Sequence, residues 1–311
     1  MSRRGWLMFA AMGVIWGLPY LLIKVAVGGV PAPVLVECRV AIGAALLLPV
    51  AVRRRQLALL LPHWRWLIVF AAVEIIIPWL LLSEAETRLP SSLSGLLVAS
   101  TPILVVVLSR LTGGSERLTP IRWAGLLVGL AGVALLAGRT AAGGDGWAAI
   151  EVLIVALGYA SGPLVISRKL SELPPLEVTA VCLAFAAVVY APLAALNWPD
   201  QVPAAKVLGA IAGLAVVCTA VAFLIFFALI AEAGPARAIV ITYINPAVAV
   251  ALGVLVLGER LTLTTAGAFV LILGGSVLAT RPGQRAAAGA AGQPQPGEQV
   301  PAAGAQPGTG Q

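Results

Sequence analysis

The sequence predicts an all-α integral membrane protein of ten transmembrane helices, built as two inverted five-helix repeats. Three observations predict it. Of the 311 residues, 60% are hydrophobic and only 11% charged, and mean hydropathy is +1.01, far from the usual soluble balance. The apolar runs show no polar face and reach the roughly 20 residues that a bilayer demands. Finally, the chain repeats itself: Glu116-Arg117-Leu118-Thr119 recurs as Glu259-Arg260-Leu261-Thr262.

The repeat extends well beyond four residues. Pro102 lies fourteen positions before Glu116 and Pro246 thirteen before Glu259, while Gly125, Gly132 and Arg139 map onto Gly267, Gly274 and Arg281 with identical spacing. An offset near 143 relates two halves. Carried backwards it sets Trp16 against Tyr159, Pro31 against Pro174 and, with one slip, Pro19 against Pro163.

Ten apolar segments follow in order. The first repeat, 1–140, holds them at about 6–27, 33–52, 66–86, 92–111 and 121–138. The second, 141–281, holds them at about 147–167, 176–196, 206–231, 236–257 and 263–280. The first run is full length and lacks a small-residue cleavage site, so it reads as a retained helix. Residues 282–311 turn to Ala, Gly, Pro and Gln, too polar to bury a core, and read as a disordered cytoplasmic tail. Alternate loops divide Lys and Arg fourteen to four, the four being Arg88, Arg139, Lys206 and Arg260. The rule that positive loops stay inside then places both termini in the cytoplasm. Five helices per half is an odd number, so the second half enters with opposite polarity.

Several function classes drop out. Cys38, Cys182 and Cys218 sit in apolar segments without a paired-cysteine pattern and read as small buried hydrophobes, and His63 is the only histidine. No catalytic triad, metal site or phosphate loop can be assembled, so an enzyme and a cofactor are not expected. The net charge of +7 is strewn through loops without interleaved aromatics, so nucleic acid is not an expected partner. Membrane lipid and a small-molecule substrate are.

Inverted repeats place a substrate site near the midplane, where corresponding helices are broken. Pro19 and Pro163 mark helices one and six, and Pro102 and Pro246 mark helices four and nine. Each removes a backbone hydrogen bond that lipid cannot replace. Charges inside the apolar segments are the second pointer. Lys24 and Glu151 lie near helix ends, where snorkelling accounts for them. Arg39 is roughly 9 Å into helix two at 1.5 Å per residue. Helix-terminal carbonyls, Glu37 or Glu74 are its expected partners, and it can either grip a substrate carboxylate or lock two helices. Its repeat counterpart is Cys182.

Glu74 is the deepest charge, four residues before Pro78. It can bind a substrate ammonium, carry a coupling proton, or simply bond to a neighbouring helix. Trp16, Trp79, Tyr159, Tyr243 and Asn245 lie beside the prolines and suit the walls of a cavity. The other six tryptophans flank segment ends, as in an aromatic belt. Gly125, Gly129, Gly274 and Gly275 put small residues on helices five and ten, faces that would allow a homodimer.

Trp16-Gly17 followed by Lys24, Pro33 with Arg39-Val40, and a proline-bearing helix leading into Glu-Arg-Leu-Thr in each half resemble the EamA family of the drug/metabolite transporter superfamily. The resemblance covers residues 6 to 281. It implies an inner-membrane carrier that exports amino acids, other small metabolites or drugs by alternating access, with a cavity lined from both halves. By helix position it points to Trp16, Glu74, Trp79, Tyr159, Tyr243 and Asn245. A small multidrug-resistance branch of that superfamily relies on a glutamate in helix one. Helix one here has none. An uptake carrier or exchanger of an anionic metabolite, and a flippase for lipid-linked substrates, are the alternative readings.

Overall fold

The computed structural model describes residues 2–113, 119–234 and 238–280. Among them every regular element is helical. Nine helices are long and apolar enough to cross a membrane: α1 (Arg3–Ala26), α2 (Ala32–Arg53), α3 (Leu57–Arg88), α4 (Ser91–Leu111), α5 (Pro120–Ala142), α6 (Gly146–Leu170), α7 (Pro175–Leu196), α8 (Ala205–Ala233) and α9 (Val240–Leu257). A shorter apolar helix, α10 (Leu263–Ala279), completes the bundle. The expected tail at 282–311 and the first joint residues Glu116, Arg117 and Leu118 lie outside the described residues.

The helix boundaries follow from local chemistry. Pro33, Pro120 and Pro175 sit in the first helical turn, where no amide bond is lost. Ser2 and Thr262 accept hydrogen bonds from the amides of Gly5 and Thr265. At the other end, Gly258 takes φ +66° and stops α9, a conformation that L side chains resist. The sequence starts the third segment near Trp66, but the structure starts it at Leu57, because residues 57–63 form a 3-10 turn around Pro62.

The repeat is visible in the elements themselves. Shifted by 143 positions, α2 coincides with α7, and α5 overlaps α10. Each of these helices packs along its own counterpart, α2 on α7 and α5 on α10. The second contact is close enough that Gly125, Gly129 and Gly132 meet Gly275, Leu271 and Ala279. Small residues allow that approach. The glycine faces read as a possible dimer contact are therefore used within one chain. Only Gly274 of that set has open space beside it.

Outward faces carry Leu127, Val188, Leu255 and Val270 fully or largely exposed. In water that surface would be a liability; against acyl chains it is matched. The chain is an integral membrane protein.

Candidate functional site

Four of the expected residues converge where α2, α3, α6 and α8 meet. Arg39 is 7% exposed, and its Nε donates to Thr219 Oγ1 at 3.0 Å. Its guanidinium lies 3.6 Å from the centroid of the Trp79 ring, a cation stacked on an indole face. Tyr159, Cys218 and Tyr20 are close enough to act on it electrostatically. No carboxylate among the described residues is within ion-pair distance of Arg39, so the expected pairing with Glu37 or Glu74 does not form. A hydroxyl and a ring face hold the cation in place without cancelling its charge.

Both partners are delivered by widened turns. In α8, residues Gly213–Val221 form a π-helix, and Thr219 Oγ1 donates to Leu214 O five residues back at 2.9 Å. In α3, residues Ala72–Ile76 form another, ending just before Pro78. Proline has no amide to give and crowds the turn before it, and a π turn relieves both faults. Tyr190 of α7 donates to the carbonyl of Ile76 there. The two π-helices occupy repeat-equivalent stretches, a pairing that residue patterns at helical spacing do not reveal.

Glu74 sits in the α3 π turn. Its Oε2 is buried without a hydrogen-bond partner and faces the Cα of Gly162 on α6. Gly158, one turn earlier, faces the Val73 carbonyl and Pro78. Tyr159 lies beside these glycines and interacts with Arg39, Glu74 and Trp79. One phenol thus lies within electrostatic reach of both a guanidinium and a carboxyl group.

The remaining expected residues lie elsewhere. Trp16 is at a break in α1, where Trp16-Gly17 separates two helical pieces and Pro19 opens the second. Its ring centroid is 4.6 Å from that of Phe226 and 6.1 Å from that of Phe223. With Phe227 these form an aromatic wall on α8 that sequence reasoning missed; three phenylalanines within five residues were its signal. With its amide oriented to donate, Asn245 bonds Ile241 O at 3.0 Å and Gly13 O at 3.2 Å, tying α9 to α1. Tyr243 shares a 2.5 Å hydrogen bond with Thr280 beyond α10.

Pro102 and Pro246 each open the second piece of a broken helix, after Ala99-Ser100 in α4 and after the 3-10 turn Ile239–Tyr243 in α9. Pro163 instead lies within a continuous stretch of α6, followed by a π turn at Ile166–Leu170.

One end of the bundle is tied by part-buried polar contacts. Lys24 Nζ donates to Glu86 O at 2.7 Å and to Leu89 O at 2.8 Å, capping the end of α3. Arg88 pairs with Glu151 of α6 at 2.5 Å. Neither Lys24 nor Glu151 snorkels as expected, because each finds an interhelical partner. Glu259 accepts from the amides of Ser91 at 2.7 Å and Ser92 at 2.9 Å, capping α4. The second Glu-Arg-Leu-Thr joint therefore ties α9 and α10 to the other half of the chain.

Burial pushes the Glu259 carboxyl group up, but the hydrogen bonds from Ser92 and Ser91 outweigh it and hold it below its ordinary value. A lowered folded-state pKa means the contact is at full strength above the unfolded value of about 4.3. It is lost as pH falls through the folded value. Thermal unfolding measured against pH should show an acid limb below about pH 4.3 that is reduced in Glu259→Gln.

Comparison with known proteins now bears on this geometry. The profile of the EamA-like transporter family matches the chain twice, at residues 3–138 and 146–281. The chain belongs to the EamA-like transporter family. It is similar to the uncharacterized inner membrane transporter YedA of Escherichia coli K12, 28% identical over 256 residues, 81% of this chain and 82% of that protein. The uncharacterized transporter YvbV of Bacillus subtilis is 26% identical over 275 residues, 86% of this chain and 88% of its own. A protein of known crystal structure, 23% identical, superimposes with TM-score 0.63 over 90% of this EamA-like transporter and 97% of its own chain, a likeness of fold. Among the described residues of this transporter no group of three or more His, Cys, Asp or Glu is placed to hold a metal ion.

Proposed function

We propose that this EamA-like transporter exports a small zwitterionic metabolite, of the amino-acid type, by alternating access. The observation that carries the reading is that Tyr159 lies within electrostatic reach of both Arg39, which has no carboxylate partner among the described residues, and Glu74, whose Oε2 has no hydrogen-bond partner. A carboxylate can meet the planar guanidinium and an ammonium the carboxyl group, with Trp79 and Tyr159 against the side chain between them. The reading has ten spans, α10 included, in two inverted repeats with both termini cytoplasmic. The paired breaks in α4 and α9 and the paired π turns in α3 and α8 support rocking of one half against the other.

A metabolite screen comparing cells that overproduce the protein with cells that lack it identifies the substrate. In vesicles, Glu74→Gln should then leave folding intact and reduce uphill transport at low substrate by more than about tenfold, since a lost charged contact costs about 2 kcal/mol or more. Unchanged rates remove Glu74 from the site. An exchanger of an anionic metabolite would use Lys24 together with Arg39, but both carbonyls that Lys24 touches already occupy it.

A further inference from the structure

Glu86, near the end of α3, has no role in the site just described. It is 0% exposed, and neither carboxylate oxygen has a hydrogen-bond partner. The hydroxyl of Ser91, also 0% exposed, lacks a partner as well. Gly253 of α9 lies against Glu259 and Ser91: a Cβ there would lie 2.5 Å from Glu259 Oε2 and 3.1 Å from Ser91 Oγ.

The charged and titratable groups around Glu86 come from several elements. Lys24 and Tyr20 of α1, Tyr159 of α6 and Glu259 of the α9–α10 turn act on it. The Lys24 ammonium bonds to the main-chain oxygens of Glu86 and Leu89. On its own helix, Arg88 is taken by Glu151 of α6. From α2, Arg39 is stacked on Trp79, two turns back along α3.

We propose that Glu86 is a proton-binding site that holds this end of the bundle shut. Glu259 is the ionised member of the two carboxyl groups, because two amides at the start of α4 satisfy it. A second carboxylate within its electrostatic reach, fully buried and with neither oxygen bonded, would be far costlier than the neutral acid. A proton on Glu86 removes that cost while the end is closed. When α4 and the α9–α10 turn part, water reaches the group and Glu86–COOH plus water gives Glu86–COO⁻ plus hydronium, the new anion facing Lys24. The closed form holds one proton more than the open form, so it is favoured at low pH and lost as pH rises. In the orientation proposed above, this end faces the outside. The inference rests on the transporter reading for what the gate serves.

Hydrogen exchange at the Ser91 and Ser92 amides, measured on the full chain in lipid nanodiscs from pH 5 to 9, reads gate opening without any substrate. Failure here is therefore distinct from failure of the amino-acid reading. After correction for the intrinsic chemical rate, exchange in the wild type should rise with pH, by up to about tenfold per unit. Glu86→Gln, shaped like the neutral acid, should stay at the low-pH level throughout. Glu259→Gln should exchange faster at every pH. A flat wild-type profile, or the wild-type rise persisting in Glu86→Gln, overturns the proposal. Should Glu86→Gln fail to fold, Glu86→Asp takes its place: the rise must persist with a displaced midpoint, and an undisplaced one is equally fatal.

Discussion

Alanine at Gly158 or Gly162 is expected to be among the most damaging single changes in the chain. At Gly158 the new methyl group would enter the space of the Val73 carbonyl and Pro78; at Gly162 it would enter that of the Glu74 carboxyl group. The two neighbours differ in how readily they yield. The first is backbone inside a π turn already fixed by Pro78 and by the hydrogen bond from Tyr190 to Ile76 O. Overpacking of this kind costs about 1–3 kcal/mol and sometimes more. The thermal midpoint in detergent should drop, with Gly158→Ala the worse of the two because a side chain can turn aside and a carbonyl cannot. Gly138, which has nothing within 4 Å of its Cβ position, is the control and should tolerate alanine. Equal midpoints for Gly158→Ala and Gly138→Ala would show that α3 and α6 are not packed as described.

Changes at Arg39 should separate its structural from its chemical work. Alanine removes the stacking on Trp79, leaves Thr219 Oγ1 without its donor and opens a cavity; buried large-to-alanine changes cost about 2–5 kcal/mol. Lysine is the sharper test. It keeps the charge but loses the planar fork and the Nε donor to Thr219. Folded yield of Arg39→Lys should stay near wild type, while the concentration for half-maximal transport of the identified substrate rises about tenfold, equivalent to about 1.4 kcal/mol of binding. A lysine variant that lowers folded yield but leaves that concentration unchanged would assign Arg39 to helix locking alone.

Much of the architecture was legible because it rests on composition and repetition. Ten apolar runs, the offset of 143 and the prolines of α1, α4 and α9 all reappear as elements or breaks. The candidate site was legible in part. Arg39, Glu74, Trp79 and Tyr159 stood out as polar or aromatic groups in apolar helices, and the fold brings them together. The groups that hold them in place were not legible, since Thr219 reaches Arg39 and Tyr190 reaches the Ile76 carbonyl across more than a hundred residues, and both look ordinary in their own helices. Lys24 and Glu151 misled for a related reason: nearness to a helix end suggests solvent, but those ends abut other helices. Asn245 and Tyr243 reach Gly13 and Thr280, contacts that no spacing rule anticipates.

The π turn of α3 also governs which way that helix faces. A π turn takes up more residues than an α turn for the same rotation, so over Ala72–Ile76 the helix lags a uniform α-helix by about one residue, or ~100°. Everything after it, Trp79 and Glu86 included, is turned by that amount relative to Leu67 and Ala71 before it. A helical wheel drawn through the whole of α3 would therefore assign its later residues to the wrong wall. The stacking of Trp79 on Arg39 and the burial of Glu86 near the end of α3 depend on this shift of phase. It also sets a limit on divergence: deleting one residue between Ala72 and Ile76 would let the turn close as a plain α turn with both groups still facing their neighbours, whereas a deletion in the regular turns between Leu67 and Ala71 would rotate both by ~100° relative to the start of the helix.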